Sequence, residues 1–130
     1  MRHKQKNPVE ELELIAETWI RYFNAHDLDR LLGLYHDDAI HRSPKLRERQ
    51  PETQGYVRGK PALREWWQDC FTRLPHLQYD LESIATNVDP QKQQVVIEYT
   101  RKEPGEPDMY IAEVFRIKQG RIAESRVYHG

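Results

Sequence analysis

The spacing of apolar residues along the chain changes once, near residue 76, and this change limits the folds that the chain can adopt. Before that point, apolar residues recur at helical spacing, whereas the later segments are rich in β-branched and aromatic residues. Turn signals separate these later segments at Asp89-Pro90, Pro104-Gly105 and Gln119-Gly120. Helices followed by an antiparallel meander are typical of an α+β domain, in which helices cover one face of a sheet. We therefore expect three N-terminal helices on a curved, mostly antiparallel sheet, with a pocket between the two layers.

Capping signals and apolar spacing define the expected elements. Asn7 and Pro8 begin the first helix, and Asp27 caps the second. The expected helices cover residues 7–27, 28–38 and 61–74, and the expected strands cover 76–86, 94–102, 108–118 and 121–130. The charged segment 45–60 contains a proline and two glycines, and it is predicted as a loop with at most one turn of helix.

Composition indicates one folded domain and disfavours nucleic acid as a partner. The 130 residues suffice for a single core, and 38% of them are hydrophobic. The net charge is −1, with both signs mixed along the chain, so there is no basic surface of the kind that binds phosphates. Basic residues concentrate only at the N-terminus, and we expect residues 1–7 to form a flexible tail.

Other classes of protein are disfavoured by missing motifs. Cys70 is the single cysteine, which fits a reducing compartment and a cytoplasmic location. No run of apolar residues is long enough to predict a membrane span, and no secretory signal is evident. No HxxxH, HExxH or CxxC motif and no glycine-rich phosphate loop occurs, so we expect neither a metal nor a cofactor.

The segment "YHDDAIHRSP", residues 35–44, supplies the first candidate site residue. We interpret it as a helix end leading into a short strand that stops at a proline. Strand alternation places Ala39, His41 and Ser43 on one face. An imidazole there could act as a general acid or base, because it titrates near physiological pH. The alternative is that His41 is only a polar residue at the rim of a cavity.

Glu113 is the second candidate, because it interrupts an otherwise apolar strand. Ile111 and Phe115 share its face, so its carboxyl group must be paired or have a raised pKa. It could act as a base or as a protonated donor beside His41, or it could form a structural ion pair with an arginine such as Arg101.

The inward face of strand 94–102 stays open, because both sets of alternating residues contain apolar side chains. One set is Val95, Ile97 and Tyr99, and the other is Val96, Glu98 and Thr100.

Three motifs in this order, "LYHDDAIHRSP", "RGKPALREWW" and "EVFRIKQGRIAESRVY", resemble the nuclear-transport-factor-2-like superfamily. This group includes SnoaL-like polyketide cyclases and ketosteroid isomerases. The resemblance covers nearly the whole chain and implies a cone-shaped α+β fold with an apolar pocket. It also implies a homodimer packed through the sheet. The superfamily hosts several chemistries and also binding modules, so function must be argued from the site.

The isomerase site is only partly kept in this resemblance. The position of the isomerase base falls on Ser43, which cannot shuttle a proton without a partner base. Trp19 occupies the position of the tyrosine that binds the oxyanion in the isomerases, and Trp67 occupies that of the tyrosine that supports it. Tyr35 keeps the third tyrosine of that network, and Glu113 replaces the aspartate that also binds the oxyanion. His129 falls where isomerases carry a tryptophan that lines the pocket, and Phe23 lines the helix side. Steroid isomerisation by the known mechanism is therefore disfavoured.

The sequence thus favours a small, cofactor-free acid/base enzyme of the isomerase, dehydratase or cyclase type. Its substrate would be a compact apolar or aromatic carbonyl compound, with His41 moving the proton and Glu113 orienting or tuning it. The expected substrate-binding residues are Trp19, Phe23, Tyr35, Ser43, Trp67, Ile111, Phe115 and His129. The alternative is a non-catalytic module on the same scaffold that binds a small ligand or dimerises.

Overall fold

The computed structural model describes residues 7–130, and the basic segment 1–6 lies outside them. Its elements, in chain order, are α1 (Pro8–Asn24), α2 (Leu28–Gly33), β1 (Tyr35–Arg42), α3 (Pro44–Arg49), a 3-10 turn (Pro51–Thr53), β2 (Tyr56–Arg58), α4 (Lys60–Arg73), β3 (Gln78–Asn87), β4 (Gln94–Lys102), β5 (Met109–Lys118) and β6 (Arg121–His129). The predicted α+β class is confirmed, with helices packed on a mostly antiparallel sheet.

The helix starts follow the predicted capping signals. The side chain of Asn7 accepts a hydrogen bond of 2.8 Å from the backbone of Glu10 and donates one of 2.9 Å to its carboxylate. Asp27 caps α2 in the same way, through a bond of 3.2 Å from the backbone N–H of Arg30. Because Asn7 closes the first turn of α1, it belongs to the helix terminus.

The six strands form one sheet in the order β2-β1-β6-β5-β4-β3. All neighbouring strands are antiparallel except β1 and β6, which are parallel. The last strand in the chain therefore lies beside the first strand, near the middle of the sheet. This pairing brings residues far apart in the sequence onto neighbouring positions.

The second predicted helix was too long. Helix α2 ends at Gly33, and Tyr35 begins β1, opposite Ile122 of β6. Leu28, Leu31, Leu32 and Tyr35 fit helical spacing, but Tyr35 is also compatible with a strand. Pairing with β6 decides between the two, and the backbone of Ile122 donates to the carbonyl of Leu34 at 2.8 Å.

The segment predicted as a loop at 45–60 was also wrong in part. It contains α3, a 3-10 turn and the edge strand β2, so residues 7–130 contain one more α-helix than predicted. Ser43 caps α3, Pro44 occupies its first turn, and Leu46 is fully buried beneath it.

An aromatic core fills much of the space between α1 and the sheet. Trp19 packs against Phe23 and Phe115, with ring centroids 5.0 and 5.1 Å apart. Phe23 in turn stacks on Tyr79 at 4.1 Å. This packing leaves only a limited hollow between the layers, and its walls are rigid.

Candidate functional site

A cavity of about 120 Å³ lies between the helices and the inner face of the sheet. Eight of the ten residues predicted for the site line it, namely Trp19, Phe23, His41, Ser43, Trp67, Ile111, Glu113 and His129. Tyr35 and Phe115 do not; both are fully buried in the wall behind it. The cavity is small for a drug-sized ligand, so it suits a compact molecule.

Strand register explains why the two candidate catalytic residues face inward. Glu113 of β5 lies opposite Val127 of β6, and Ser125 of β6 lies beside His41 of β1. Residues opposite one another in a sheet point to the same face, so all of these side chains share the concave side. Ala39 and Ser43 are buried with His41, as the alternation of the segment predicted.

The same register resolves the ambiguous strand β4. Ile97 pairs with Glu113, and Tyr99 pairs with Ile111, so the set containing Val95, Ile97 and Tyr99 faces inward. Those three side chains are buried. Tyr99 thereby reaches the cavity beside Glu113.

His41 is a buried, neutral imidazole. Its side chain is 3% exposed, and its Nδ1 lies 2.6 Å from the hydroxyl of Ser125. Burial lowers the pKa of His41 to about 4, because the charged form loses its hydration. The ring of Trp67 packs 5.2 Å away and holds the imidazole in place.

Glu113 is a buried carboxyl group whose pKa is shifted in the opposite direction. It is 1% exposed, and burial raises its pKa to about 8 although the hydrogen bond from Tyr99 opposes the shift. The Tyr99 hydroxyl donates to Oε1 at 2.8 Å. The second oxygen, Oε2, is buried and has no hydrogen-bond partner among residues 7–130. The carboxyl group of this cavity-lining residue therefore has one oxygen that no described protein group engages.

Two contacts considered from the sequence are not formed. Arg101 bonds the carboxylate of Glu106 at 2.9 Å, so its ion pair is not with Glu113. His41 and Glu113 bond Ser125 and Tyr99, respectively, and not each other. They line the same cavity, and each is held by a different neighbouring side chain.

Two buried hydrogen bonds lie close to the cavity. The indole N–H of Trp19 donates to the Tyr35 hydroxyl at 2.9 Å, and the Ser125 hydroxyl lies 2.6 Å from Nδ1 of His41. Burial raises the pKa of the Tyr35 hydroxyl, and Ser125 is among the groups that oppose this shift. When the Ser125 hydroxyl donates to Nδ1 of His41, the imidazole proton lies on Nε2, and no residue in the described range bonds that atom.

Hydrogen bonds within the protein change the roles expected for Trp19 and Ser43. The indole N–H of Trp19 is already used by Tyr35, so it does not hold a substrate oxygen. The Ser43 hydroxyl accepts from the backbone of Lys45 at 3.2 Å and caps α3. Both residues line the cavity, but these two polar groups are engaged within the protein.

His129 and the tryptophan pair lie at opposite extremes of exposure. His129 is exposed at the edge of the cavity, although partial burial, followed by Lys45 and Arg101, lowers its pKa. Trp66 and Trp67 are both buried and both line the cavity.

Sequence reasoning missed several residues of this site. Tyr99 could have been found once β4 was set in register with β5. Ser125 depends on the parallel pairing of β1 and β6, for which the sequence carries no signal. Arg49 was assigned to a loop, although it lies on α3 and lines the cavity.

Two searches of the described chain bear on other functions. Within residues 7–130, no group of three or more His, Cys, Asp or Glu side chains could hold a metal ion. None of the helices in that range is both long enough and apolar enough to cross a membrane.

Comparison with known proteins identifies the family. The family model for the SnoaL-like domain matches residues 16–125, and the chain therefore belongs to this family. Its solved relatives share the NTF2-like fold, as the sequence motifs suggested. No curated protein matches the sequence.

Three solved structures illustrate the similarity. A SnoaL-like protein of unknown function from Burkholderia thailandensis is 25% identical, with a TM-score of 0.82, over 93% of this chain and 95% of that chain. A protein from Sinorhizobium meliloti, provisionally described as a polyketide cyclase, is 17% identical with a TM-score of 0.73, over 95% and 100% of the two chains. A protein from Kribbella flavida, provisionally described as a ketosteroid isomerase, is 11% identical with a TM-score of 0.73, over 93% and 78%.

Proposed function

We propose that this protein is a cofactor-free acid/base enzyme that moves a proton on a compact carbonyl compound, in the manner of an isomerase, dehydratase or cyclase. One observation carries the proposal. A neutral imidazole and a carboxyl group with one unbonded oxygen line the same cavity, and their pKa values are shifted in opposite directions, to about 4 and about 8. Such a divergence in pKa values indicates which group is the acid and which is the base.

Glu113 is the better base of the two. With a pKa of about 8, roughly one carboxyl group in ten is ionised at pH 7. That ionised form is a stronger base than an ordinary carboxylate, and the Tyr99 hydroxyl stabilises it. In the proposed step, Oε2 removes a proton from the carbon next to the substrate carbonyl.

His41 is better suited to stabilise the negative oxygen that results. Its conjugate acid has a pKa of about 4, so the imidazole is a weak base and stays neutral at physiological pH. Its Nε2–H donates a hydrogen bond to the carbonyl oxygen as that oxygen becomes an enolate. This assignment reverses the roles that the sequence suggested, in which His41 carried the proton.

The fate of the enolate and of the proton held by Glu113 would define the reaction. Return of the proton to a different carbon is an isomerisation. Transfer of the proton to a hydroxyl group on the adjacent carbon, which then leaves as water while the enolate forms a carbon–carbon double bond, is a dehydration. Attack of the enolate carbon on a second carbonyl group, whose oxygen takes the proton from Glu113, is a cyclisation. The aromatic walls formed by Trp19, Phe23 and Trp67 exclude water and strengthen both polar contacts.

The family supports this class of chemistry at a coarse level. Structural neighbours carry provisional assignments as a ketosteroid isomerase and as a polyketide cyclase. Both assignments concern carbonyl compounds, whose reactions proceed through enolates.

Proton abstraction can be tested before the natural substrate is known. Small ketones (2-butanone, cyclopentanone and phenylacetone) are incubated in D₂O, and exchange of the hydrogens next to the carbonyl is followed by NMR. We expect the wild-type protein to exceed Glu113→Gln by about a hundredfold, the usual contribution of a positioned base. Glu98→Gln is the matched control, because Glu98 lies on the exposed face of the neighbouring strand.

Two results would contradict the proposal. One is a rate of exchange in Glu113→Gln equal to that of the wild type. The other is binding of these ketones without any exchange, which would favour the alternative of a ligand-binding module.

A further inference from the structure

Positive charge exceeds negative charge along one part of the cavity wall. Four cationic side chains line the cavity, namely Lys45, Arg49, Arg73 and Arg101. The carboxyl groups that line it are those of Glu106 and Glu113, and Glu113 is largely protonated at neutral pH. The wall therefore attracts anions.

Nearby carboxylates do not balance this charge. Asp69 is shared between two guanidinium groups, those of Arg49 and Arg73. One carboxylate between two arginines leaves a net charge of one positive unit beside the cavity. Lys45 has only a long contact of 3.8 Å with Glu48.

Arg49 carries a donor without an acceptor. Its Nε–H is buried, and nothing in the described part of the chain accepts a hydrogen bond from it. The guanidinium group lies 4.7 Å from the centre of the Trp66 ring, and its Nη2 binds the carboxylate of Asp69. These contacts hold the group in place, so the free N–H is preorganised. Buried guanidinium donors are otherwise almost always paired.

Arg101 adds a second fixed cation at the same cavity. It is 8% exposed and lies on the concave face of β4. One of its nitrogens binds Glu106 at 2.9 Å, and a guanidinium group has further donors to offer. The pKa of His129 is lowered by partial burial first, and then by Lys45 and Arg101, which indicates that their positive field reaches the cavity edge.

We propose that the molecule bound in this cavity carries a carboxylate as well as a carbonyl group, and that Arg49 binds the carboxylate. The inference rests on the proposed function for the carbonyl end, where Glu113 and His41 lie. A cavity of about 120 Å³ restricts the ligand to a short chain. The chemical class is thus a small oxo acid, and not a neutral ketone or a polycyclic compound.

The test compares acids with their own neutral esters. Pyruvate, 2-oxobutanoate and levulinate, each with its methyl ester, are titrated into the full-length protein at pH 7, and dissociation constants are measured by NMR. We expect at least one acid to bind about tenfold or more tightly than its ester, the effect of one charge-assisted hydrogen bond.

Variants of Arg49 and of its neighbour Arg47 then test which residue causes the tighter binding of the acid. Arg49→Gln should abolish the preference for the acid, and Arg49→Lys, which keeps the charge but lacks Nε–H, should retain part of it. Arg47→Gln is the matched control, because Arg47 lies exposed on the same helix and does not line the cavity. It should bind like the wild type.

Failure of this inference is distinguishable from failure of the proposed enzyme. Equal binding of acid and ester, binding of neither, or a preference that persists in Arg49→Gln would overturn the inference. None of these results affects the exchange of neutral ketones catalysed through Glu113. Conversely, tight binding of an oxo acid without hydrogen exchange would leave the inference standing and reject the enzyme.

Discussion

The hydroxyl of Ser125 lies 2.6 Å from Nδ1 of His41, across the parallel pairing of β1 and β6. A hydroxyl that donates to Nδ1 leaves the imidazole proton on Nε2. We therefore expect Ser125, which does not line the cavity, to favour the tautomer in which His41 presents a donor to the cavity.

Removing the Ser125 hydroxyl should alter the tautomer of His41. We expect Ser125→Ala to shift the proton of His41 partly to Nδ1, and to slow ketone hydrogen exchange by about tenfold, the equivalent of one hydrogen bond. Nitrogen-15 NMR of the imidazole measures the tautomer directly. An unchanged tautomer in a folded Ser125→Ala protein would refute this role of Ser125.

The rate of hydrogen exchange should rise with pH. Because the active form of Glu113 is the carboxylate, the rate should increase about tenfold per pH unit and level off near its pKa of about 8. His41 stays neutral throughout this range, since its pKa is about 4. A rate that falls as pH rises through 8 would instead assign Glu113 as a protonated donor.

The stability of the fold should fall with rising pH above neutrality. Glu113 has a raised pKa, so the folded state keeps its proton between the ordinary value of 4.5 and about 8, whereas the unfolded chain loses it. The contribution of Glu113 to the free energy of unfolding is therefore fully present below pH 4.5 and is lost as pH rises through 8.

His41 contributes in the opposite sense. Its pKa is lowered from 6.5 to about 4, so its contribution is present above pH 6.5 and lost as pH falls through 4. Between pH 4.5 and 6.5 the two effects oppose each other, and above 6.5 Glu113 acts alone. From pH 6.5 to 8 we expect a loss of roughly 1 to 2 kcal/mol of unfolding free energy, measured by urea denaturation. Glu113→Gln should remove this slope, whereas Glu98→Gln should retain it.

Ser43 should matter for stability and not for chemistry. Its hydroxyl caps α3 through the backbone of Lys45, so Ser43→Ala should cost about 1 kcal/mol of unfolding free energy. Hydrogen exchange of ketones should stay within about twofold of the wild type, because the engaged hydroxyl is not offered to the cavity. A large loss of exchange with normal stability would restore the substrate-binding role suggested by the sequence.

The homodimer expected through the sheet stays a prediction. The outer face of the sheet carries two exposed tyrosines, Tyr110 at 68% and Tyr128 at 49% exposure. Tyr128 lies opposite Ala112, on the same face. If two copies pack there, Tyr128→Glu should weaken association by at least about tenfold, as judged by sedimentation velocity. A wild-type protein that sediments as a monomer at all concentrations would contradict the expectation.

The sequence predicted the architecture well because period and capping are local properties. Asn7 and Asp27 cap the helices as expected, and alternation correctly buried His41 and Glu113. Tyr35 was misassigned, because its spacing suited both a helix and a strand, and only pairing with β6 separates the two.

Ser125 and Tyr99, which bond the two candidate catalytic residues, reach them through contacts between distant segments of the chain. No local sequence pattern encodes such contacts. Ser125 meets His41 across 84 positions of sequence, and Tyr99 could be oriented only through its register with β5. The roles of His41 and Glu113 were likewise open, since burial and neighbours set the direction of each pKa shift. Residue type alone suggested the familiar assignment of histidine as the base.

The parallel pairing of β1 and β6 also has a consequence for the order in which the candidate site is assembled. A chain truncated before residue 121 would retain the four α-helices of residues 7–130 and five of their six strands, but His41 would have no hydroxyl beside Nδ1. The geometry around His41 would therefore be complete only once β6 has docked beside β1, a contact between segments far apart in the sequence.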